Sequence, residues 1–167
     1  MKRIFLVGAL AVSTLGLSAC GFTPLYATPG VTPGLASIET VAPDGRAGFM
    51  LREQLDDAFV HGGNAPSAYR LTLAINEQRY ARGVRVDNVA NRYELRMVVN
   101  WRLLDGKTGA EVRKGRSEAA VTYDSADQPY AAIAAQNDGQ ERAAAEVARN
   151  IQLDLAAWMA GGRKAKT

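Results

Sequence analysis

Cysteine and histidine are almost absent from this chain of 167 residues, which has one of each. One cysteine excludes a disulfide framework within the chain. One cysteine and one histidine together are also too few to form a Cys/His metal site. The sequence therefore predicts neither disulfide-linked architecture nor a resident metal, and we expect no cofactor.

The body of the chain also lacks a positive charge excess. There are 20 Lys and Arg residues against 17 Asp and Glu. Two of the basic residues, Lys2 and Arg3, lie in the leader described next, and three more, Arg163, Lys164 and Lys166, crowd the C-terminus. The remaining body has a net charge of about −2, so nucleic-acid binding loses its electrostatic basis.

The longest apolar run is too short to cross a membrane. It spans Ile4 to Leu17 after a basic Met1-Lys2-Arg3 start, whereas a transmembrane helix needs roughly 20 apolar residues. This pattern predicts a secretory signal peptide at residues 1–19. Leu17-Ser18-Ala19-Cys20 resembles the lipobox of bacterial lipoproteins, in which the cysteine receives lipid.

The lipobox resemblance implies a mature chain that begins at a triacylated Cys20. A single acyl chain gives only marginal membrane binding, whereas several chains anchor a protein stably. The next residue is Gly21 and not the aspartate associated with inner-membrane retention. By analogy, the protein is expected at the outer membrane, lipid-anchored and facing the periplasm.

Residues 20–34 are interpreted as this lipidated N-terminus and a flexible tether. Three prolines and three glycines interrupt any apolar periodicity there, at Pro24, Pro29, Pro33, Gly21, Gly30 and Gly34. Such a composition favours an extended linker. About fourteen extended residues could hold a domain up to roughly 50 Å from the bilayer.

Residues 35–161 are predicted to form one α+β domain, with a disordered basic tail at 162–167. We expect a strand at 35–42 and a helix at 46–60 capped by Asp44. Three alternating strands follow within 69–76, 92–103 and 111–123, with a bulge near Gly115. A final helix covers 125–160, and Gly139 is expected to kink or split it.

The order βαβββα predicts a two-layer sandwich with a four-stranded mixed sheet. The first strand pairs in parallel through its helix, and the other strands form an antiparallel meander. Both helices pack on one face of the sheet. The other face stays bare, and the sheet edges are exposed.

No residue pattern supports catalysis. Gly106-Lys107-Thr108 lacks the upstream glycine of a phosphate-binding loop. His61 precedes Gly62-Gly63, but no nucleophile elbow accompanies it, and a cation near a helix C-terminus explains it. We therefore predict a non-enzymatic protein without catalytic or metal-binding residues.

Arginines are concentrated on the predicted bare face. Arg70, Arg92, Arg96, Arg102 and Arg116 should project from it, with Glu94, Glu118, Asn76 and Asn100 between them. Two interpretations remain open: recognition of phosphate or carboxylate groups, or a solvated face with Arg–Glu pairs. Arg79, Arg82 and Arg85 are assigned to a mobile hairpin ending in Asp87-Asn88.

Three segments together resemble the LptE family of lipopolysaccharide-assembly lipoproteins. They are Cys20-Gly21-Phe22-Thr23-Pro24-Leu25-Tyr26, the strand Tyr93-Glu94-Leu95-Arg96-Met97-Val98-Val99 and the helix from Ala143 to Trp158. The resemblance implies a plug and assembly partner of the outer-membrane β-barrel LptD, which inserts lipopolysaccharide. It also implies contact with lipopolysaccharide. No arginine motif of the family matches residue by residue, so the candidates for this contact come from the strand pattern alone: Arg85, Arg92, Arg96 and Arg102.

A second interpretation keeps the anchor but changes the partner. The chain would then be a scaffold or pilot lipoprotein of another envelope complex that uses a sheet edge for strand addition. Two contact surfaces stay open: a surface that fits the lumen of a barrel, or a sheet edge.

Overall fold

The computed structural model describes residues 25–59, 67–84, 90–125 and 128–161. The predictions for the leader, Cys20, His61, Arg85 and the basic tail lie outside these residues.

Eight elements follow one another along the described chain. They are a 3₁₀ turn (Leu25–Ala27), α1 (Val31–Ala36), β1 (Ile38–Val41), α2 (Arg46–Phe59), β2 (Tyr69–Val84), β3 (Ala90–Asp105), β4 (Glu111–Asp124) and α3 (Pro129–Gly161). The sheet order is β1-β2-β3-β4. β1 pairs with β2 in parallel, and the other pairs are antiparallel. The predicted α+β fold with a four-stranded mixed sheet is confirmed.

The period-2 pattern of the strands divides the sheet into a covered and an uncovered face. On β3 the apolar positions are buried: Leu95, Met97, Val99, Trp101 and Leu103. They pack with the apolar stripes of α2 and α3, including Leu51, Leu55, Ile151 and Leu155. The alternate positions of the same strand are exposed or half-buried, and most of them are polar, although Val98 and Leu104 are apolar. One sheet face therefore carries the core, and the other faces solvent.

The prediction of an extended linker was wrong for residues 25–34. α1 occupies Val31–Ala36, and its Val31 and Leu35 are 0% and 3% exposed in the core. Pro33 lies in the first turn of α1, where a backbone N–H is unsatisfied in any case. Gly30 precedes the helix at φ 89°, a conformation that favours glycine. The residues that suggested a linker are therefore the start of a short helix, and β1 begins at Ile38 instead of Leu35.

Two further local predictions are corrected. The carbonyl of Gly45, at φ +109°, accepts the first α2 hydrogen bond from Phe49 N–H, so Gly45 and not Asp44 precedes the helix. The irregularity of the β3–β4 pair lies at Val112, because Leu103 pairs with Arg113 and Leu104 with Glu111. The bulge therefore lies three residues before Gly115.

Gly139 was predicted to kink or split the last helix, and the split was wrong because α3 is one helix of 33 residues. Gly139 is buried against the ring of Tyr123, where an added Cβ would lie 3.0 Å from Cδ1. The glycine serves the close approach of α3 to β4. Among the described residues, no helix combines the length and apolar character that a membrane crossing requires.

Candidate functional site

The uncovered side of the sheet, here called the open face, carries the predicted arginines. Arg92, Arg96 and Arg102 alternate with the buried residues of β3 and therefore point away from the helices. Arg70 lies on β2 beside Glu39 of β1, and Arg116 lies opposite Asn100 on β4. The predicted location of these five arginines is confirmed.

β2 continues well beyond its predicted end, which corrects the assignment of Arg79 and Arg82 to a mobile hairpin. Both residues belong to β2, which pairs with β3 as far as Val84. Arg82 contacts Glu94 on the open face. Arg79 contacts the helix side instead, where it donates to Gln136 of α3 and lies over the Tyr93 ring at 4.8 Å. Only one of the two arginines therefore joins the open face.

Two arginines share one carboxylate at the distal end of the open face, which is the end formed by the last residues of β2 and the first residues of β3. Arg82 and Arg96 lie 2.9 and 3.3 Å from Glu94, and Arg96 also lies 3.7 Å from Glu118. Both guanidinium groups lie over the Tyr80 ring, at 5.5 and 5.9 Å from its centre. Such stacking suits planar cations and orients them across the sheet.

This pairing shifts the ionisation of the groups involved. The hydrogen bond from Arg82 is the main cause of a lowered pKa at Glu94, with Arg96 adding to it. The same bond raises the pKa of Arg82. The Asp124 carboxylate, 2.8 Å from Arg92, raises the pKa of that arginine. Glu94, Arg82 and Arg92 are therefore charged at neutral pH.

The proximal end of the open face is formed by the first residues of β2, the last residues of β3 and the first residues of β4. It has a shallow groove of about 650 Å³ bordered by positively charged side chains. Arg102, Lys114 and Arg116 line it, and their side chains are 71%, 73% and 63% exposed. Glu111 lies 3.7 Å from Arg102 and 3.4 Å from Lys114. Its other lining residues are Thr72, Ala74, Asn100 and Gly115 together with the apolar Leu73 and Trp101. This groove can accept an anionic group in exchange for the carboxylate contacts.

The two basic groups lie far apart. Arg92 and Arg102 are ten residues apart on one strand, which is about 33 Å at the rise of a β-strand. They cannot contact the same phosphate group. The arginines therefore fall into two groups. Arg82, Arg92 and Arg96 lie toward the distal end, and Arg102 lies with Lys114 and Arg116 at the proximal end.

Several residues of this surface were not predicted from the sequence. Lys114 and Glu111 lie on either side of the Val112 bulge, which changes the phase of β4. Tyr80 was missed because the residues around it are polar at both alternating sets of positions, so the sequence shows no alternation of apolar and polar residues there. The aromatic and β-branched residues Tyr80 and Val84 were the available strand signal.

The described residues contain no cluster of three or more His, Cys, Asp or Glu side chains with the geometry of a metal site. The carboxylates of the open face are each engaged by arginine or lysine. The open face therefore carries exposed ion pairs of arginine or lysine with carboxylates, and an anionic ligand can take the place of the carboxylate in such a pair.

A family model for lipopolysaccharide assembly, LptE, matches residues 35–155. The match covers β1 to α3 and includes the whole open face. The chain belongs to the LptE family. Family membership makes it a lipopolysaccharide-assembly lipoprotein of the bacterial envelope.

Solved structures of three bacterial lipoproteins are similar to this chain. A protein of Caulobacter crescentus CB15 described as a lipoprotein is 72% identical, with a TM-score of 0.70 over 80% of this chain and 97% of that one. Rare lipoprotein B of Shewanella oneidensis is 18% identical over 72% and 92% of the two chains, with a TM-score of 0.48. A minor lipoprotein of Acinetobacter baumannii is 18% identical over 70% and 91%, with a TM-score of 0.47. No match is found among curated proteins.

Proposed function

We propose that this LptE family member is an outer-membrane lipoprotein that serves as plug and assembly partner of the LptD β-barrel. In this role it aids lipopolysaccharide transport and insertion without catalysing a reaction. The observation that carries the proposal is the family match over residues 35–155. A polar, ion-paired sheet face supports it, because the lumen of a large barrel is itself polar.

The membrane anchor of the proposal is Cys20. The lipobox resemblance at Leu17-Ser18-Ala19-Cys20 supports acylation there and removal of residues 1–19. Intact mass measurement of the protein from its native membrane should give a chain that begins at Cys20 and carries the mass of the acyl groups. A free thiol at Cys20 would remove the anchor from the proposal.

Lipopolysaccharide contact is proposed for the open face. Arg92, Arg96 and Arg102 are all at least 40% exposed, so a phosphate can replace their carboxylate partners. Because these residues lie at two ends of β3, we propose two anion contacts and not one. Arg85, the fourth candidate, lies close in sequence to the distal group.

Depletion of the protein tests this function. The proposal predicts less lipopolysaccharide on the cell surface, and restoration by the wild-type chain but not by a Cys20→Ser chain. Unchanged surface lipopolysaccharide, together with failure of a different envelope assembly, would contradict the proposal. That outcome would favour the scaffold or pilot role through a sheet edge.

A further inference from the structure

A second groove lies on the opposite side of the molecule, between α2 and α3. It has a volume of about 560 Å³, and its lining mixes five residues with apolar surface and four polar or charged ones: Tyr26, Ala58, Ala145, Ala148 and Leu153 with Gln54, Asp57, Arg149 and Gln152. Gln152 of α3 donates to the carbonyl of Ala58 at 2.7 Å, which links the two helices beside the groove. Tyr26 and Leu153 are 43% and 40% exposed, so apolar surface faces solvent at its walls.

The groove carries no charge preference. Asp57 and Arg149 line it with opposite charges, and its other lining residues are neutral. An occupant without net charge that places an apolar group against Tyr26 and Leu153 fits this chemistry better than a phosphate or a carboxylate.

The N-terminal segment of the chain reaches this groove directly. Leu25 packs against the core, and the next residue, Tyr26, is part of the groove wall. Phe22 precedes Tyr26 by four residues, or at most about 14 Å of extended chain. The groove from Ala145 to Leu153 is eight helical residues long, which is about 12 Å. The Phe22 ring is therefore within reach of its whole length.

We propose that the segment Cys20–Pro24 docks in this groove through the Phe22 side chain. The segment has no charged residue, and Phe22 is its one large apolar side chain. A tethered occupant has a high effective concentration, which favours it over a free partner. Because Cys20 is at most about 7 Å of extended chain from Phe22, docking of Phe22 holds Cys20 at the helix side of the domain. The open face, on the other side of the sheet, stays free for other contacts.

This inference rests on the groove and the chain that precedes it, and it requires neither the barrel nor lipopolysaccharide. Its consequence is orientation: an anchor at Cys20 would hold the helix layer toward the bilayer instead of letting the domain swing on a long tether. Failure of the proposed function and failure of the docking are therefore separate results.

Photo-crosslinking in the full processed chain in detergent micelles tests the docking. With p-benzoylphenylalanine in place of Phe22, mass spectrometry should find adducts on α3 peptides covering 145–153. The matched control replaces Phe49, a 68% exposed residue of α2, in the same way and should give no adducts there. Adducts from position 22 only to detergent, to the sheet or to residues 60–66 would overturn the proposal.

A groove-filling variant provides the second measurement. Ala145→Trp places an indole in the groove and should abolish the adducts from position 22. If circular dichroism shows that this variant is unfolded, Leu153→Glu at the exposed wall takes its place. Undiminished adducts in a folded variant would contradict docking in the groove.

Discussion

Gly115 of β4 and Trp101 of β3 are directly opposite each other, and the indole covers the glycine. An added Cβ on Gly115 would lie 2.3 Å from Cζ2 of Trp101, whose side chain is only 1% exposed. An aromatic side chain that covers a glycine on an edge strand stabilises that strand. The glycine is thus required by packing and not by a bulge, which the sequence pattern alone had suggested.

We predict that Gly115→Ala lowers the free energy of unfolding by about 1–3 kcal/mol, because the buried indole must move. Denaturant unfolding of the two proteins measures this difference. Gly161→Ala is the control, since no atom lies within 4 Å of a Cβ built there. Equal stability of Gly115→Ala and the wild type would show that the indole relaxes without cost.

The shared carboxylate Glu94 predicts a pH dependence. Its pKa is lowered by Arg82 and Arg96, so its contribution to stability is complete above the unfolded glutamate pKa of about 4.3 and is lost as the pH falls through the lower folded value. Glu94→Gln should therefore be less stable than wild type at neutral pH, and the difference should shrink below about pH 4. Thermal unfolding at a series of pH values measures it. A difference independent of pH would assign the effect to packing.

At the scale of elements, the strands were predictable where one side of the sheet is apolar. β3 alternates from Leu95 to Leu103 because its partners on one side are helices. The second half of β2 was not predictable in this way, because Glu77 and Arg79 on its helix side bind Gln140 and Gln136 of α3. Polar side chains there replace apolar contacts, and the period-2 signal disappears.

α1 shows a different limit of sequence reasoning. A six-residue helix is too short for a periodic pattern, and it contains Pro33 and Gly34. Tertiary packing of Val31 and Leu35 overrides the low helix propensity of these residues. The first described element therefore begins five residues after Cys20, a distance of at most about 18 Å of extended chain.

We predict that Leu35→Ala lowers the free energy of unfolding by about 2–5 kcal/mol, as for a fully buried leucine. A residue of a flexible tether would have no such effect. Ile133→Ala on α3 is the control, because Ile133 is 58% exposed. If both variants unfold at the wild-type denaturant concentration, α1 is not part of the cooperative fold.

For the whole molecule, the two-layer architecture was predictable and the distribution of the site was not. Strand alternation placed the arginines on one face, but their division into two ends follows from the length of β3 and the β4 register. Contacts such as Arg82 with Glu94 join residues of neighbouring strands, whose register depends on the connection between them.

We predict that removing the arginines of the open face specifically weakens lipopolysaccharide binding. Replacing Arg92, Arg96 and Arg102 together by alanine should weaken binding by at least roughly tenfold, because both anion contacts are removed. The control removes three arginines of the helix layer, Arg52, Arg142 and Arg149, with the same change in net charge. Equal weakening in the two variants would indicate a non-specific charge effect, and unchanged binding would leave the open face as a solvated surface.

The most direct test of the account is affinity purification of the lipidated protein from detergent-solubilised outer membranes, followed by quantification of what remains bound. Membership of the LptE family and the polar open face predict that one large β-barrel, LptD, is recovered in fixed proportion to the bait. Purification of the intact, folded protein without any barrel partner would contradict the proposed role.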